Sequence, residues 1–257
     1  MDGSSSPDRV KIFVTCEHGG AELPQEYAHL FSGTRNILRT HLGYDLGALA
    51  LARRLARHLR SPLMVSKTSR LLVDLNRSPG HPSLFSAWTR TLPGSARARL
   101  LSVYHHPYRT AAIDKASAWI AEGFLVLHLS VHTFTPVLHQ KVRRLDVGVL
   151  CDPARTREVA FCKAWKKAMH GTCSGLVVGR NRPYRGDSDG LTASLRNRFE
   201  EGRYLGIELE VNQRHHRVRG DRLAQHIENC VIRSFQQAVD DFRRALQERR
   251  WLDGQIP

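Results

Sequence analysis

The chain has 257 residues, of which 41% are hydrophobic and 25% are charged. This length and composition fit one globular α/β domain that needs neither a disulfide nor a metal to stabilise its core. The formal net charge of +15 attracts anions. Because the arginines are spread along the chain, we interpret this charge mainly as a solvated surface and do not expect nucleic acid as a partner.

Five cysteines are present, and none of them forms a Cys-x-x-Cys pair. The odd number and the spacing argue against a disulfide framework and against a cysteine-based zinc site. We expect most of these cysteines to be reduced thiols in the core.

The beginning of the chain does not predict an export signal. Residues 1–8 lack the basic start and the apolar stretch of a secretory signal, so we expect a disordered lead-in to one domain over residues 9–257. No apolar run approaches the ~18 residues that span a bilayer. We therefore expect a cytoplasmic protein without a membrane partner, and either a monomer or a homodimer.

The predicted elements alternate between strands and helices, which indicates an α/β fold. In the first half of the chain they are a strand at 10–15, a helix at 46–59, a short strand pair at 63–74, an extended loop at 78–95 and a mostly helical stretch at 96–120. Asp45 is the candidate N-cap of the first helix, and Pro107 is expected to interrupt the later one.

In the second half the elements are strands at 124–132, 147–150 and 205–211, helices at 155–169 and 222–249, and a loop at 179–191. Nothing in the composition marks a domain boundary. The predicted fold class is a single-domain α/β fold with a central mixed, largely parallel sheet flanked by helices.

Histidines stand at the ends of two predicted strands. His18 follows the first strand, and Gly19 and Gly20 then allow the backbone to turn sharply, whereas His132 ends the strand at 124–132. In an open α/β sheet, ligands bind beyond the carboxyl ends of the strands. Because hydrolytic zinc sites use three protein ligands, often histidines, this pair predicts a metal site. The alternative for each is a structural histidine whose ring nitrogens bond to the backbone.

Two carboxylates share one face of the strand at 205–211. Glu208 and Glu210 alternate with apolar residues there, where a carboxylate is costly unless it is paired or lies beside a metal. One of them would act as the general base toward a water molecule at the metal. The alternative is a structural salt bridge with one of the many arginines.

The segment at 69–77 closes with Asp74, Asn76 and Arg77. The guanidinium fork is the preferred partner of a carboxylate, so this segment predicts binding of an anionic substrate. The alternative is a salt bridge at the edge of the sheet.

Seven segments, in order along the chain, resemble the N-formylglutamate amidohydrolase family. They lie at 16–20, 41–48, 69–77, 130–136, 146–152, 181–186 and 206–213. The resemblance implies a phosphorylase/hydrolase-like fold, as in the distantly related zinc carboxypeptidases. It implies that Asn76 and Arg77 hold the α-carboxylate of the substrate. It also implies that His132 is the last zinc ligand and Glu208 the catalytic carboxylate.

The first metal motif departs from the carboxypeptidase pattern, in which a glutamate ligand stands three residues after the histidine. Ala21 occupies that position here. We therefore expect Asp45 to be the third zinc ligand beside the two histidines, with His41, Glu17 and Glu22 as alternatives. Glu17 is disfavoured because strand alternation points it away from the next residue.

The resemblance predicts zinc-dependent hydrolysis of N-formyl-L-glutamate to L-glutamate and formate. Zn²⁺ is the expected cofactor, and a small anionic N-acyl amino acid is the expected substrate. Arg70, Arg182 or Tyr184 would bind its side-chain carboxylate. One alternative is a related zinc amidase that acts on another N-acyl amino acid or a short acidic peptide. Others are a basic nucleic-acid-binding protein with a vestigial site and a structural α/β protein.

Overall fold

Residues 9–248 are described by a computed structural model of the protein. Within this range the strands are β1 (Val10–Cys16), β2 (Leu63–Val65), β3 (Leu125–Phe134), β4 (Val137–Leu138), β5 (Lys141–Val142), β6 (Val147–Leu150), β7 (Val178–Arg180), β8 (Tyr204–Asn212), β9 (His216–Arg217) and β10 (Arg222–Leu223). The α-helices are α1 (Ala48–Leu59), α2 (Gly94–Leu100), α3 (His106–Ala121), α4 (Thr156–Thr172), α5 (Leu191–Arg196) and α6 (Gln225–Gln247). Short 3-10 helices cover Gln25–Phe31, Arg35–Arg39 and Gln213–His215.

Six of the strands form one central sheet in the order β2-β1-β3-β8-β6-β7. Strands β2, β1, β3 and β8 are parallel, whereas β6 is antiparallel to β8 and β7 is parallel to β6. The sheet is thus mixed and largely parallel, which confirms the predicted fold class. Because β1, β3 and β8 are parallel, their carboxyl ends at Cys16, Phe134 and Asn212 lie at the same edge of the sheet.

The main core lies between one face of the sheet and helices α1, α4 and α6. Strands β3 and β8 are buried along their whole length, as expected for parallel strands that are covered on both faces. Trp165 of α4 is fully buried, and its indole N–H donates a hydrogen bond to Ser234 Oγ of α6 at 3.1 Å. A smaller core on the other face packs α3 and α5 around Phe13 and Tyr204. The central strands are therefore held from both sides.

The structure confirms the helix and the strands that the clearest sequence patterns predict. Strands occur at the predicted positions 10–15, 124–132, 147–150 and 205–211, and a helix occurs at 155–169, with ends that agree to within three residues. None of the helices described within residues 9–248 is long and apolar enough to cross a membrane.

The strand pair predicted at 63–74 is wrong, because only Leu63–Val65 forms a strand and the chain then turns. Leu72, Val73 and Leu75 leave the sheet and pack in a separate small core that also contains Leu84. Their apolar character therefore reflects burial under a loop rather than strand pairing.

Two predictions about helices also need correction. The first helix begins at Ala48, and its N-cap is Gly47, at a φ of +80°, rather than Asp45. The stretch at 96–120 is not broken at Pro107, because α2 continues through a π-helical segment, Leu101–His105, into α3. This wider turn ends two residues before the proline, which lacks the N–H for a regular helical hydrogen bond.

Two shorter strands lie where other structure was expected. Val178–Arg180 pairs with β6, although residues from 179 onward were predicted as a loop. Arg222–Leu223 pairs with β9, so α6 begins at Gln225 rather than at 222. The predicted end of that helix at 249 and the lead-in at 1–8 lie outside the described residues.

A disulfide joins Cys173 and Cys230, contrary to the expectation that the chain has no disulfide framework. Cys173 follows the end of α4, Cys230 lies near the start of α6, and their Cα atoms are 6.0 Å apart. The two residues are 57 positions apart in the sequence, so their spacing gave no signal of the contact. Cys16, Cys151 and Cys162 are buried free thiols, as predicted.

Replacing Trp165 by alanine should lower the free energy of unfolding by about 3–5 kcal/mol, because it leaves a cavity between α4 and α6. Val142→Ala is the control, since Val142 is 70% exposed, and its effect should stay within about 0.5 kcal/mol. Urea unfolding followed by circular dichroism measures both changes. Equal effects of the two substitutions would contradict the packing of Trp165 described above.

Candidate metal centre and substrate cleft

The carboxyl edge of the parallel strands opens into a polar cleft of about 390 Å³. Small-molecule sites in proteins have volumes of about 300–1,000 Å³, so the cleft has room for a small metabolite. Arg182 is exposed and is not part of the lining. The other predicted site residues all line the cleft: His18, Asp45, Arg70, Asn76, Arg77, His132, Tyr184 and Glu208.

Three buried side chains form a candidate metal centre at the base of this cleft. His18, Asp45 and His132 each offer a ligand atom, and these atoms lie within 4.8 Å of one another. Asp45 Oδ2 is 3.5 Å from His18 Nδ1 and 2.9 Å from His132 Nδ1. Tetrahedral zinc with bonds of about 2.0–2.1 Å implies ligand atoms roughly 3.3 Å apart. The arrangement therefore fits a zinc ion, and it brings together the three ligands predicted from the sequence.

His18 also has an open coordination atom. Its Nδ1 is buried and has no hydrogen-bond partner within residues 9–248. A buried polar atom without a partner is costly, and a metal ion would satisfy it. This nitrogen without a hydrogen bond is a further observation that fits a metal ligand.

Local backbone geometry places these ligands. Cβ atoms at Gly19 and Gly20 would lie 2.9 Å and 2.5 Å from the carbonyl oxygens of Ser66 and Lys67, so the turn after β1 needs both glycines. The backbone N–H of Asp45 donates to the carbonyl of His18 at 2.9 Å. The loop before α1 is thereby fixed to the end of β1.

Each histidine of the centre is backed by a second carboxylate. His18 Nε2 lies 2.7 Å from Asp74 Oδ1, and His132 Nε2 lies 3.1 Å from Glu17 Oε2. Such outer carboxylates orient metal-binding imidazoles and raise their basicity. Glu17 is therefore not one of the three candidate ligands in this arrangement. It contacts His132 on β3 rather than His18, its neighbour in the sequence.

The charges of the centre depend on one another. Burial alone would raise the pKa of Asp45, but His18 and His132 lower it well below its usual range. Burial alone would lower the pKa of His132, but its hydrogen bonds to Asp45 and Glu17 raise it well above the usual value. Without a metal, the carboxylates therefore hold a proton on His132. A bound cation would take its place.

Arg70 lies beside the candidate metal centre. Its Nη2 donates to Asp74 Oδ2 at 2.7 Å, and its Nη1 is 3.5 Å from Asp45 Oδ1. Burial tends to lower the pKa of Arg70, but the two aspartates raise it further above its already high value. This permanent positive charge can stabilise negative charge that develops near the metal.

Asn76 and Arg77 line the cleft on the loop that follows Asp74. Asn76 Oδ1 accepts a hydrogen bond from Leu191 N at 2.7 Å, and Arg77 Nη1 donates to the carbonyl of Asp189 at 2.7 Å. Arg77 Nε is buried and has no hydrogen-bond partner in the described part of the chain. The Arg77 side chain itself lines the cleft, so its guanidinium can meet an anion there.

Two buried residues that the sequence analysis did not identify hold this loop. His105 Nε2 lies 2.7 Å from the carbonyl oxygen of Arg77, and Arg109 Nη1 donates to the carbonyl of Leu75 at 3.1 Å. Both lie on the continuous helix that includes α3. A buried arginine that binds only backbone oxygens has no sequence signature, because its partners lie more than 30 residues away.

The two glutamates of β8 lie at different depths. Glu210 is paired in register with His132, whereas Glu208 is paired with Ser130, two residues deeper in the sheet. Glu208 accepts a hydrogen bond from the hydroxyl of Thr192, whereas Oε2 of Glu210 is buried without a partner in the described chain. Burial, opposed by His132 and supported by the charge of Asp45, raises the pKa of Glu210 to about 8.

Tyr184 stands at the mouth of the cleft and is 42% exposed. Its hydroxyl accepts a hydrogen bond from Arg143 Nη1 at 2.9 Å, and the Arg143 guanidinium lies 4.8 Å from the ring centre of Phe134. Arg143 was not predicted, because it follows the β4–β5 hairpin and not one of the strands of the central sheet. It supports Tyr184 in the region where Arg182 was expected to act.

An α/β sheet that gathers two histidines, buried carboxylates and arginines at its carboxyl edge has the architecture of a hydrolytic enzyme. A sequence model of N-formylglutamate amidohydrolase matches residues 10–216. The chain therefore belongs to the N-formylglutamate amidohydrolase family and is a hydrolase.

Two solved structures are similar over nearly the whole chain. A gene product of Agrobacterium tumefaciens is 27% identical, with a TM-score of 0.71, and the match covers 93% of this chain and 91% of that one. An N-formylglutamate amidohydrolase from Ralstonia eutropha is 16% identical, with a TM-score of 0.66, and the match covers 93% and 95%. The second likeness shows the fold alone. No curated protein sequence gives a significant match.

Proposed function

We propose that this protein hydrolyses N-formyl-L-glutamate to L-glutamate and formate in a zinc-dependent reaction. The observation that carries the proposal is the buried cluster of His18, Asp45 and His132 at the base of an arginine-lined cleft. Membership of the N-formylglutamate amidohydrolase family supports the choice of substrate.

The ligand set is suited to zinc, and His18, Asp45 and His132 would hold the ion. Zinc bound there supplies a Lewis acid that polarises the formyl carbonyl and makes a water molecule more acidic. Three protein ligands leave a coordination position open for this chemistry. The outer carboxylate of Asp74 keeps the His18 ring in place.

The cleft residues bind and orient the substrate in this proposal. Arg77 and Asn76 bind the α-carboxylate, since both side chains line the cleft and the guanidinium is the preferred partner of a carboxylate. Tyr184 lies at the mouth, where the side-chain carboxylate of the substrate would reach. Arg70 offsets the negative charge that develops on the formyl oxygen during attack by water.

The family resemblance predicts Glu208 as the catalytic carboxylate; from the register of β8 we propose Glu210 as the general base, with Glu208 as the alternative. Glu210 is level with His132, and one of its carboxylate oxygens is free. It would accept a proton from the attacking water and pass it to the nitrogen of the leaving amine. Water is thereby divided between the two products, because formate keeps the hydroxyl oxygen and glutamate keeps the proton. Glu208, which accepts from Thr192, would help to shape the floor of the cleft.

Metal content and formate release test the proposal together. The purified protein should contain about one zinc per chain and release formate from N-formyl-L-glutamate. Replacing His132 by alanine should abolish zinc retention and activity. His81→Ala is the control, since His81 lines the cleft but lies outside the metal cluster, and it should retain zinc. Zinc without formate release would move the substrate to another N-acyl amino acid or an acidic peptide, and unchanged zinc in His132→Ala would remove that residue from the centre.

A matched pair of substitutions separates the two glutamates. Glu210→Gln should reduce kcat by about 10²- to 10⁴-fold at unchanged zinc content, because it removes the proton acceptor. Glu208→Gln should reduce kcat by less than about tenfold, since glutamine can still accept a hydrogen bond from Thr192. Steady-state formate release measures both. The opposite ranking would assign the base role to Glu208.

Arg77→Met should raise KM for N-formyl-L-glutamate by about 10- to 100-fold, the loss expected for a charge-assisted hydrogen bond. The value of kcat should change far less, because Arg77 binds ground state and transition state alike. Arg90→Met, at an exposed position outside the cleft, is the control. An unchanged KM for Arg77→Met would reject the carboxylate-binding role.

A further inference from the structure

Glu17 is a buried carboxylate that the proposed mechanism does not use as a ligand or as a base. Its side chain is 0% exposed. Oε2 accepts a hydrogen bond from the hydroxyl of Ser130 at 2.7 Å and lies 3.1 Å from His132 Nε2. Oε1 accepts from the hydroxyl of Tyr108 at 3.3 Å. Three side chains from two different elements therefore converge on this one carboxylate.

Glu17 differs from four other buried carboxylates of the described residues in how its charge is compensated. Each of these four groups forms an ion pair with an arginine: Asp74 with Arg70, Asp146 with Arg214, Glu158 with Arg196 and Glu228 with Arg54. For Glu17, the ion-pair partner in the described chain is His132. A buried charge without compensation is strongly destabilising, so the charge of Glu17 must be balanced through this imidazole.

The hydrogen bonds around His132 select one form of its ring. The Ser130 hydroxyl donates its single hydrogen to Glu17, so its oxygen, 2.9 Å from His132 Nε2, is left as an acceptor. Nε2 thus faces two acceptors, Ser130 Oγ and Glu17 Oε2, and it carries the ring hydrogen. The amide nitrogen of Asn76, at 3.5 Å, is too distant to oppose this. In a neutral ring the lone pair then lies on Nδ1, which faces Asp45 and His18.

We propose that Glu17 is a positioning residue that holds His132 with Nε2 protonated and Nδ1 directed at the metal, and whose negative charge strengthens cation binding at the centre. The inference rests on the proposed zinc dependence. It explains why a glutamate directly follows the apolar strand β1, a position where burial of a carboxylate would otherwise only weaken the fold.

The test measures zinc affinity directly, by competition with a chromophoric chelator on the metal-stripped full chain. Glu17→Gln keeps the size of the side chain but removes its charge, and it should weaken zinc binding by about 10- to 100-fold, as for other outer-shell partners of metal ligands. Glu228→Gln is the matched control, because Glu228 is 1% exposed and is paired with Arg54 away from the cleft. This variant should bind zinc as the wild type does.

A second readout separates positioning from general stability. The visible spectrum of the Co²⁺-substituted protein reports the ligand field, so it should change in Glu17→Gln and not in Glu228→Gln. If Glu17→Gln fails to fold, Ser130→Ala replaces it, since it removes one donor to Glu17 and one acceptor for His132, and zinc binding should weaken several-fold. Wild-type zinc affinity in the folded Glu17 or Ser130 variant would overturn the positioning role alone. Absence of zinc binding by the wild type would overturn the proposed zinc dependence as well.

Discussion

The contact between Asp45 and the two histidines determines how the functional edge of the protein is assembled. Oδ2 of Asp45 lies 2.9 Å from His132 Nδ1 and 3.5 Å from His18 Nδ1, so one oxygen joins the ends of β1 and β3 to the loop before α1. The N–H of Thr133 also donates to this oxygen, at 3.3 Å. Because a buried carboxylate is tolerated only among such donors and cations, the sheet edge, the loop and the start of α1 depend on one another. Gly47 is the N-cap of α1, and the side chain of Asp45 is engaged at the centre instead.

A second layer of carboxylates surrounds that contact and extends it in two directions. Asp74 binds both His18 and Arg70, and it directly precedes the loop that contains Asn76. Glu17, which directly follows β1, binds His132 of β3. The side chains of the candidate centre are thus oriented by carboxylates that have hydrogen-bond partners of their own. Such support keeps the geometry of a site fixed in the absence of substrate. The parallel sheet supplies the rigid frame, since β3 and β8 are buried along their whole length.

Much of this arrangement could be predicted, and the exceptions share one cause. His18 and His132 stand out because polar residues directly follow apolar strands, and the parallel topology brings such strand ends together. The contact between Glu17 and His132 could not be predicted. The side chain of Glu17 points away from its neighbour His18 and toward His132 on the adjacent strand β3. Which residues face each other on adjacent strands depends on the strand register, which the sequence alone does not give. The same reason applies to other contacts that the sequence did not predict. They are those of Arg109 and Arg143 and the disulfide between Cys173 and Cys230, whose partners are distant in the chain or are backbone atoms. The strand pair predicted at 63–74 is wrong because the later apolar residues of this segment are buried in a small core under a loop and not in the sheet.

The balance of charge within the cleft suggests how an anionic substrate would be attracted there. Three arginines line the cleft, Arg70, Arg77 and Arg185, but so do four carboxylates, Asp45, Asp189, Glu208 and Glu210. Arg70 is further neutralised by Asp74, and Arg185 by Asp187. Counted as formal charges with histidine neutral, these side chains give the cleft no excess of positive charge, so they do not account for the overall charge of +15. With zinc in place, as proposed, its two positive charges would replace the single proton on His132, and the field at the base of the cleft would favour an anion more strongly. In this arrangement the same ion would serve both attraction and chemistry, so that loss of the metal would weaken binding of an N-acyl amino acid as well as its hydrolysis.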